Sequence, residues 1–191
     1  IKYITMDDYQ NFNANSIEYL HSILKDCFVT WIAEFVSKFK GHTILINKIQ
    51  QYEAQDNFKN LHENEKDINL FKCLLQCIND IQNIDSCQHE LINDKTLMYS
   101  ILNALFIQND DIFILALKDL LPYTLFAENV DKIIKYFEKC DIYHIVSNIL
   151  KKNSESIYIK ITVKFLNSLY IRLDKLDNKI NFILQLQKES I

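Results

Sequence analysis

Apolar residues recur every three or four positions through almost the whole chain, with polar residues between them, which is the pattern of amphipathic helices. Ile17, Leu20, Ile23 and Leu24 form the first stripe, with Asn15 or Ser16 as its expected N-cap. A second helix follows at once, since Val29, Trp31, Ile32, Phe35, Val36 and Phe39 cover most of a helix circumference. Gly41 is expected to end it as a left-handed C′ residue. Ile44, Leu45, Ile49 and Tyr52 mark a third helix. Glu53–Asp67 is the one long polar stretch, expected as an exposed loop with a helical turn around Phe58 and Leu61. Beyond it the spacing predicts helices over Ile68–Asn83, Ile84–Ile92, Lys95–Ile107 capped by Asp94, Asp111–Phe126, Asn129–Lys139, Ile142–Leu150, Ser156–Leu173 and Asp177–Lys188.

Composition sharpens this into an all-α fold. The 191 residues contain one Gly and one Pro, where an average domain of this length holds roughly 13 and 10. Hairpins and sheets need turn glycines that are absent here. The formal net charge is −4, and Arg172 is the lone arginine, which argues against a nucleic-acid partner. Five cysteines, an odd number without disulfide-scaffold spacing, and no Asn-x-Ser/Thr site fit a reducing, cytoplasmic setting. No apolar run approaches the ~18 residues that span a bilayer, and the amino terminus carries no signal-peptide pattern.

The helices also repeat. Leu45-Ile46-x-x-Ile49, Ile101-Leu102-x-x-Leu105 and Ile145-Val146-x-x-Ile149 mark one helix type. Cys73–Asp80, Leu115–Tyr123 and Val163–Tyr170 mark a second type between them. A period of roughly forty-odd residues with two or three helices per unit is that of armadillo and HEAT arrays, which bury each unit's apolar face against its neighbours. The expected architecture is therefore a right-handed armadillo-like solenoid: residues 1–40 as an amino-terminal cap, 41–173 as repeats and 174–191 as a terminal helix. The second helix type would line its concave surface.

Three motifs carry a family resemblance. Leu24-x4-Val29-Thr30-Trp31-x3-Phe35 is similar to the Leu-x4-Val-Ser-Trp-x3-Phe segment that opens the armadillo region of diaphanous-related formins. Lys72-Cys73-Leu74-x4-Asn79 resembles that family's Arg-Cys-Leu-x4-Asn helix, and Phe165-Leu166-Asn167-Ser168-Leu169 its Leu-Ile-Asn-Ala-Leu helix. The resemblance runs from Ile17 to Leu186. It departs at Lys25-Asp26-Cys27-Phe28, where the family usually carries asparagines, and at Asn83, where it usually has Gly.

The resemblance implies a regulatory region that controls actin assembly through domains outside this chain and associates with the cytoskeleton. A GTP-loaded Rho-family GTPase would contact Lys25, Asp26, Phe28 and Thr30. The protein's own carboxy-terminal autoregulatory helix would lie in a groove lined by Asn79, Leu120, Tyr123, Phe126 and Asn167. The alternative is a general armadillo or HEAT scaffold that binds a peptide in trafficking or transport. With no long heptad segment, a monomeric fragment is expected.

Candidate chemistry is sparse. Cys73, Cys77, Cys87 and His89 formally offer four metal ligands, but their spacing matches no common zinc module and the cysteines alternate with Leu and Ile. They read as core residues, and Trp31 as a core anchor. No phosphate loop and no nucleophile–base pairing is recognisable, so neither a cofactor, a metal nor an enzymatic activity is expected.

Overall fold

The computed structural model describes residues 14–55, 58–152 and 156–191, and among these all regular structure is helical. Residues 1–13 of the expected amino-terminal cap lie outside the described residues. In order the helices are α1 (Ala14–Asp26), α2 (Val29–Ser37), α3 (Gly41–Glu53), α4 (Glu65–Gln82), α5 (Asp85–Asn93), α6 (Lys95–Ala104), α7 (Asp110–Leu120), α8 (Ala127–Cys140), α9 (Ile142–Lys152), α10 (Ser156–Arg172) and α11 (Leu176–Lys188). Two short 3-10 turns, Phe58–Glu63 and Leu121–Leu125, join α3 to α4 and α7 to α8. The chain forms two compact units that divide in sequence between Ser100 and Ile101.

In the first unit α1 packs along α4, burying Ile17, Leu20 and Leu24. Ala14 is already helical, so Asn15 and Ser16 lie within the first turn of α1 and do not cap it. α2 packs on α3 and α5, and α4 on α3 and α5. The polar stretch after α3 is shorter than its composition suggests. Phe58 and Leu61 are buried, and the Phe58 ring meets Phe71 of α4 edge-on at 5.7 Å, beside Tyr52 of α3 at 5.8 Å from the same ring. Asn64 then caps α4, its side chain accepting from Lys66 N at 3.1 Å, so the helix starts before Ile68.

Gly41 does not end α2. The left-handed residue is Lys40, with φ of 52°, and Gly41 opens α3 as a buried residue. Asp94 caps α6 as its sequence position predicts, accepting from Leu97 N at 3.0 Å.

In the second unit α10 packs against α7, α8, α9 and the Leu121–Leu125 turn. Its core holds a run of rings: Phe137 of α8 lies 5.5 Å from Tyr143 of α9 and 6.0 Å from Phe165 of α10. Phe182 of α11 joins it at 6.0 Å from Tyr143 and 6.5 Å from Tyr170. The helix expected over Asp111–Phe126 is split. Pro122 lacks the N–H an α-helix would use, and the chain tightens into the 3-10 turn that begins at Leu121.

Candidate functional site

The α1–α2 corner collects four of the sequence-derived candidates. Cys27 N closes the last turn of α1 onto Ile23 O at 2.8 Å, and Phe28 then turns extended, with φ of −65° and ψ of 142°. Phe28 O accepts from Trp31 N at 2.9 Å to start α2, which has no side-chain cap at this end. A two-residue step between helices fixes the backbone here and turns Phe28 outward, with Cys27 half-buried. Lys25, Asp26, Phe28 and Thr30 are all exposed, Phe28 by 83% and the adjoining Val29 by 59%. An uncovered Phe–Val pair ringed by a cation, an anion and a hydroxyl has the make-up of a protein-contact patch, with an apolar centre and a polar rim. Behind it Trp31 is half-buried and stacked on Phe35, ring centres 5.5 Å apart and planes 11° from parallel. Trp31 thus braces the corner.

Asn79 also belongs to the first unit. It is half-buried on a polar row of α4 with Lys72, Gln76 and Asn83, and its Oδ1 accepts from Asn83 Nδ2 at 3.5 Å. Its neighbour Asp80 meets His21 of α1, Nε2 to Oδ2 at 3.4 Å. Burial raises the Asp80 carboxyl above its ordinary range, against the pull of His21 and Lys25. Burial, with Lys25 adding to it, lowers the His21 imidazole, against Asp80.

In the second unit the candidates separate. Leu120 and Tyr123 are fully buried, so they belong to the core and not to a ligand-lining surface. The physical reason is the 3-10 turn: tightening after Leu120 rolls Tyr123 inward, where α7, α8 and α10 all pack around the turn. Phe126 is 46% exposed where the turn passes into α8. Asn167 is exposed on α10, and it does not stand alone. Ile157, Lys160, Lys164, Asn167 and Ile171 follow one another at steps of three and four, with Val163 beside them, all exposed. They form one open helix face, apolar and basic, with an amide in its middle. The spacing of α10 contained this face, but its aliphatic and aromatic residues run so nearly around the helix that the buried and open sides cannot be told apart from sequence. Its hidden side is Ile161, Thr162, Phe165, Leu166 and Leu169.

The cysteines are placed as small core residues. Cys73, Cys77 and Cys87 are buried, and the Cys73 thiol donates to Ile17 O at 3.7 Å, tying α4 to α1. A hydrogen bond with the Cys77 thiol lowers the Cys73 thiol against the effect of burial. His89 is exposed and its ring pairs with Asn93 Nδ2 at 3.1 Å. Among the described residues no group of three or more His, Cys, Asp or Glu side chains is arranged to hold a metal ion. Nor is any described helix long and apolar enough to cross a membrane.

Compared with known proteins, the chain matches no family model and no curated protein sequence.

Proposed function

We propose that this chain is an armadillo-type regulatory module that works by binding partners, as in the diaphanous-related formins whose motifs it resembles. A GTP-loaded Rho-family GTPase docks at the corner formed by Lys25, Asp26, Phe28 and Thr30. An amphipathic autoregulatory helix lies along the open face of α10 that carries Asn167, and competition between the two partners controls actin assembly. The observation that carries this reading is the α1–α2 corner. Phe28 is 83% exposed on a braced backbone, at the position where the resembling family meets its GTPase. The open apolar face of α10 around Asn167 supports the helix-binding half. Coupling between two such ligands is typically ~1–3 kcal/mol and acts equally in both directions.

The test is titration of Rho-family proteins, GTP-loaded and GDP-loaded, onto the wild-type chain and onto the Lys25→Glu/Asp26→Lys and Phe28→Ala variants. Binding selective for the GTP form is expected, with Phe28→Ala costing about 1–3 kcal/mol as a central anchor. Circular dichroism should be unchanged, because all three side chains are exposed. If every variant binds as tightly as wild type, the corner is not the contact. A chain that captures an amphipathic helix but no GTPase would instead be the general peptide-binding scaffold.

A further inference from the structure

The carboxy-terminal helix α11 leaves an apolar stripe uncovered. Phe182, 3% exposed, plugs α11 into Tyr143 and Tyr170 and so fixes which side of the helix faces out. On that outer side Leu176 is 71% exposed, Ile180 46%, Ile183 39% and Leu184 55%. Leu176, Ile180, Ile183 and Gln187 step by four, three and four, the spacing of a coiled-coil seam. No charged side chain interrupts the seam. Asp177 and Lys188 stand along one flank of it with Leu184 between them, the acid at the start of the helix and the base at its end.

That arrangement is complementary to itself in one orientation. Two parallel copies would put these flanks on opposite sides of the seam and the two charges at opposite ends, so Asp177 and Lys188 could not meet. Two antiparallel copies bring Asp177 of each within a lysine's reach of Lys188 of the other, twice about one two-fold axis. The same orientation stacks Ile180 on Ile183 and Leu176 on Gln187 of the opposite copy. We infer that the outer face of α11 is a self-association surface whose occupant is a second copy of this chain, docked antiparallel through α11. This goes beyond the GTPase and helix contacts proposed above, which involve neither this helix nor a second copy, and it replaces the monomer expected from the lack of a long heptad segment. Four part-exposed aliphatic side chains bury only a few hundred Å² per copy, short of the ~1,200 Å² total of a standard stable interface. The dimer is therefore weak and concentration-dependent.

Sedimentation velocity on the full chain, from micromolar to submillimolar concentration, tests it. Wild type is expected to pass reversibly from monomer to dimer, and Ile183→Glu to remain monomeric with unaltered helicity. Asp177→Lys and Lys188→Glu each replace two attractions by two repulsions and should weaken association roughly tenfold. The double variant Asp177→Lys/Lys188→Glu restores both attractions and should recover association to within about threefold of wild type. A wild-type chain that stays monomeric throughout overturns the proposal. So does a double variant no better than either single one, since association would then use another face or another orientation.

Discussion

The Phe35 ring occupies the space that a side chain on Gly41 would need. A Cβ built on Gly41 would overlap Cζ and both Cε atoms of that ring, and the ring itself is 1% exposed and held by Trp31 stacked on it. Gly41 has no positive φ, so this glycine serves close approach between α2 and α3. Ordinarily Gly→Ala at the start of a helix gains a few tenths of a kcal/mol. Here overpacking decides the sign: Gly41→Ala should lose about 1–3 kcal/mol of stability in denaturant melts. Phe35→Leu removes the ring tip, so adding Gly41→Ala in that background should cost distinctly less. Equal costs in the two backgrounds would refute the contact.

One residue earlier, Lys40 adopts φ of 52°, a conformation that costs a side chain roughly 1–2 kcal/mol and glycine almost nothing. Lys40 also sets a cation before the amino terminus of α3, where the helix dipole disfavours it. Against these stands an exposed ion pair with Glu90 at 3.3 Å, worth well under about 1 kcal/mol. Lys40→Gly should therefore raise stability by about 1 kcal/mol, read as a higher denaturation midpoint with an unchanged denaturant slope. A lower midpoint would mean that the Glu90 pair outweighs the backbone term.

The two positions show what the sequence carried and what it did not. A lone glycine after an apolar helix reads as a C′ residue, because the commonest reason for glycine is a positive φ. The actual reason was a ring from six residues earlier, and no local pattern encodes that. Among the described residues, the number and placement of the helices were legible because the 3.6-residue period recurs on both sides of the polar stretch after α3. The cap at Asp94 was legible and accepts the expected amide, whereas the Asn109 cap of α7, which accepts from Ile112 N, was not read from the sequence. Within the candidate site, only the family resemblance points to Phe28, whose exposure follows from the two-residue step between α1 and α2. The burial of Tyr123 was not legible, because Pro122 breaks the helical period at the residue before it. The His21–Asp80 pair joins residues far apart in sequence, so only packing of α1 on α4 reveals it.

Acid should destabilise the fold through two histidines. His42 is buried in α3 with its Nδ1 atom lacking a hydrogen-bond partner, and burial lowers its basicity, with Lys40 adding to the effect against Glu90 and Asp94. His21 is lowered likewise. For both, the unfolded chain binds a proton more readily than the native one. Stability is then full above the ordinary histidine value near 6.5 and declines as pH falls through it toward the depressed native values. Asp80, being raised, has the opposite sign: its native carboxyl takes a proton first, which offsets part of the loss at the acid end. Melting temperatures between pH 8 and pH 5 should fall in the wild type and fall less in His42→Asn. Parallel curves for the two proteins would show that His42 does not contribute.

A substitution at Tyr123 and one at Asn167 should separate core from ligand surface in the second unit. Tyr123 is fully buried, so Tyr123→Asp places a carboxylate in an apolar interior and should cost at least ~3 kcal/mol, enough to unfold a marginal domain. Loss of ligand binding by that variant would then say nothing about a groove. Asn167 lies open between Lys160, Lys164 and Ile171, so Asn167→Asp should change stability by no more than about 0.5 kcal/mol. Its effect on binding follows from what it removes. The amide can donate to a bound helix where the carboxylate can only accept, and desolvating the new charge under a ligand should cost about 2–4 kcal/mol of affinity. The paired measurement is a melting curve and a titration of an amphipathic helical peptide for each variant. A folded Asn167→Asp that binds as tightly as wild type would remove α10 from the proposed binding face, and a Tyr123→Asp chain that melts like wild type would contradict its place in the core.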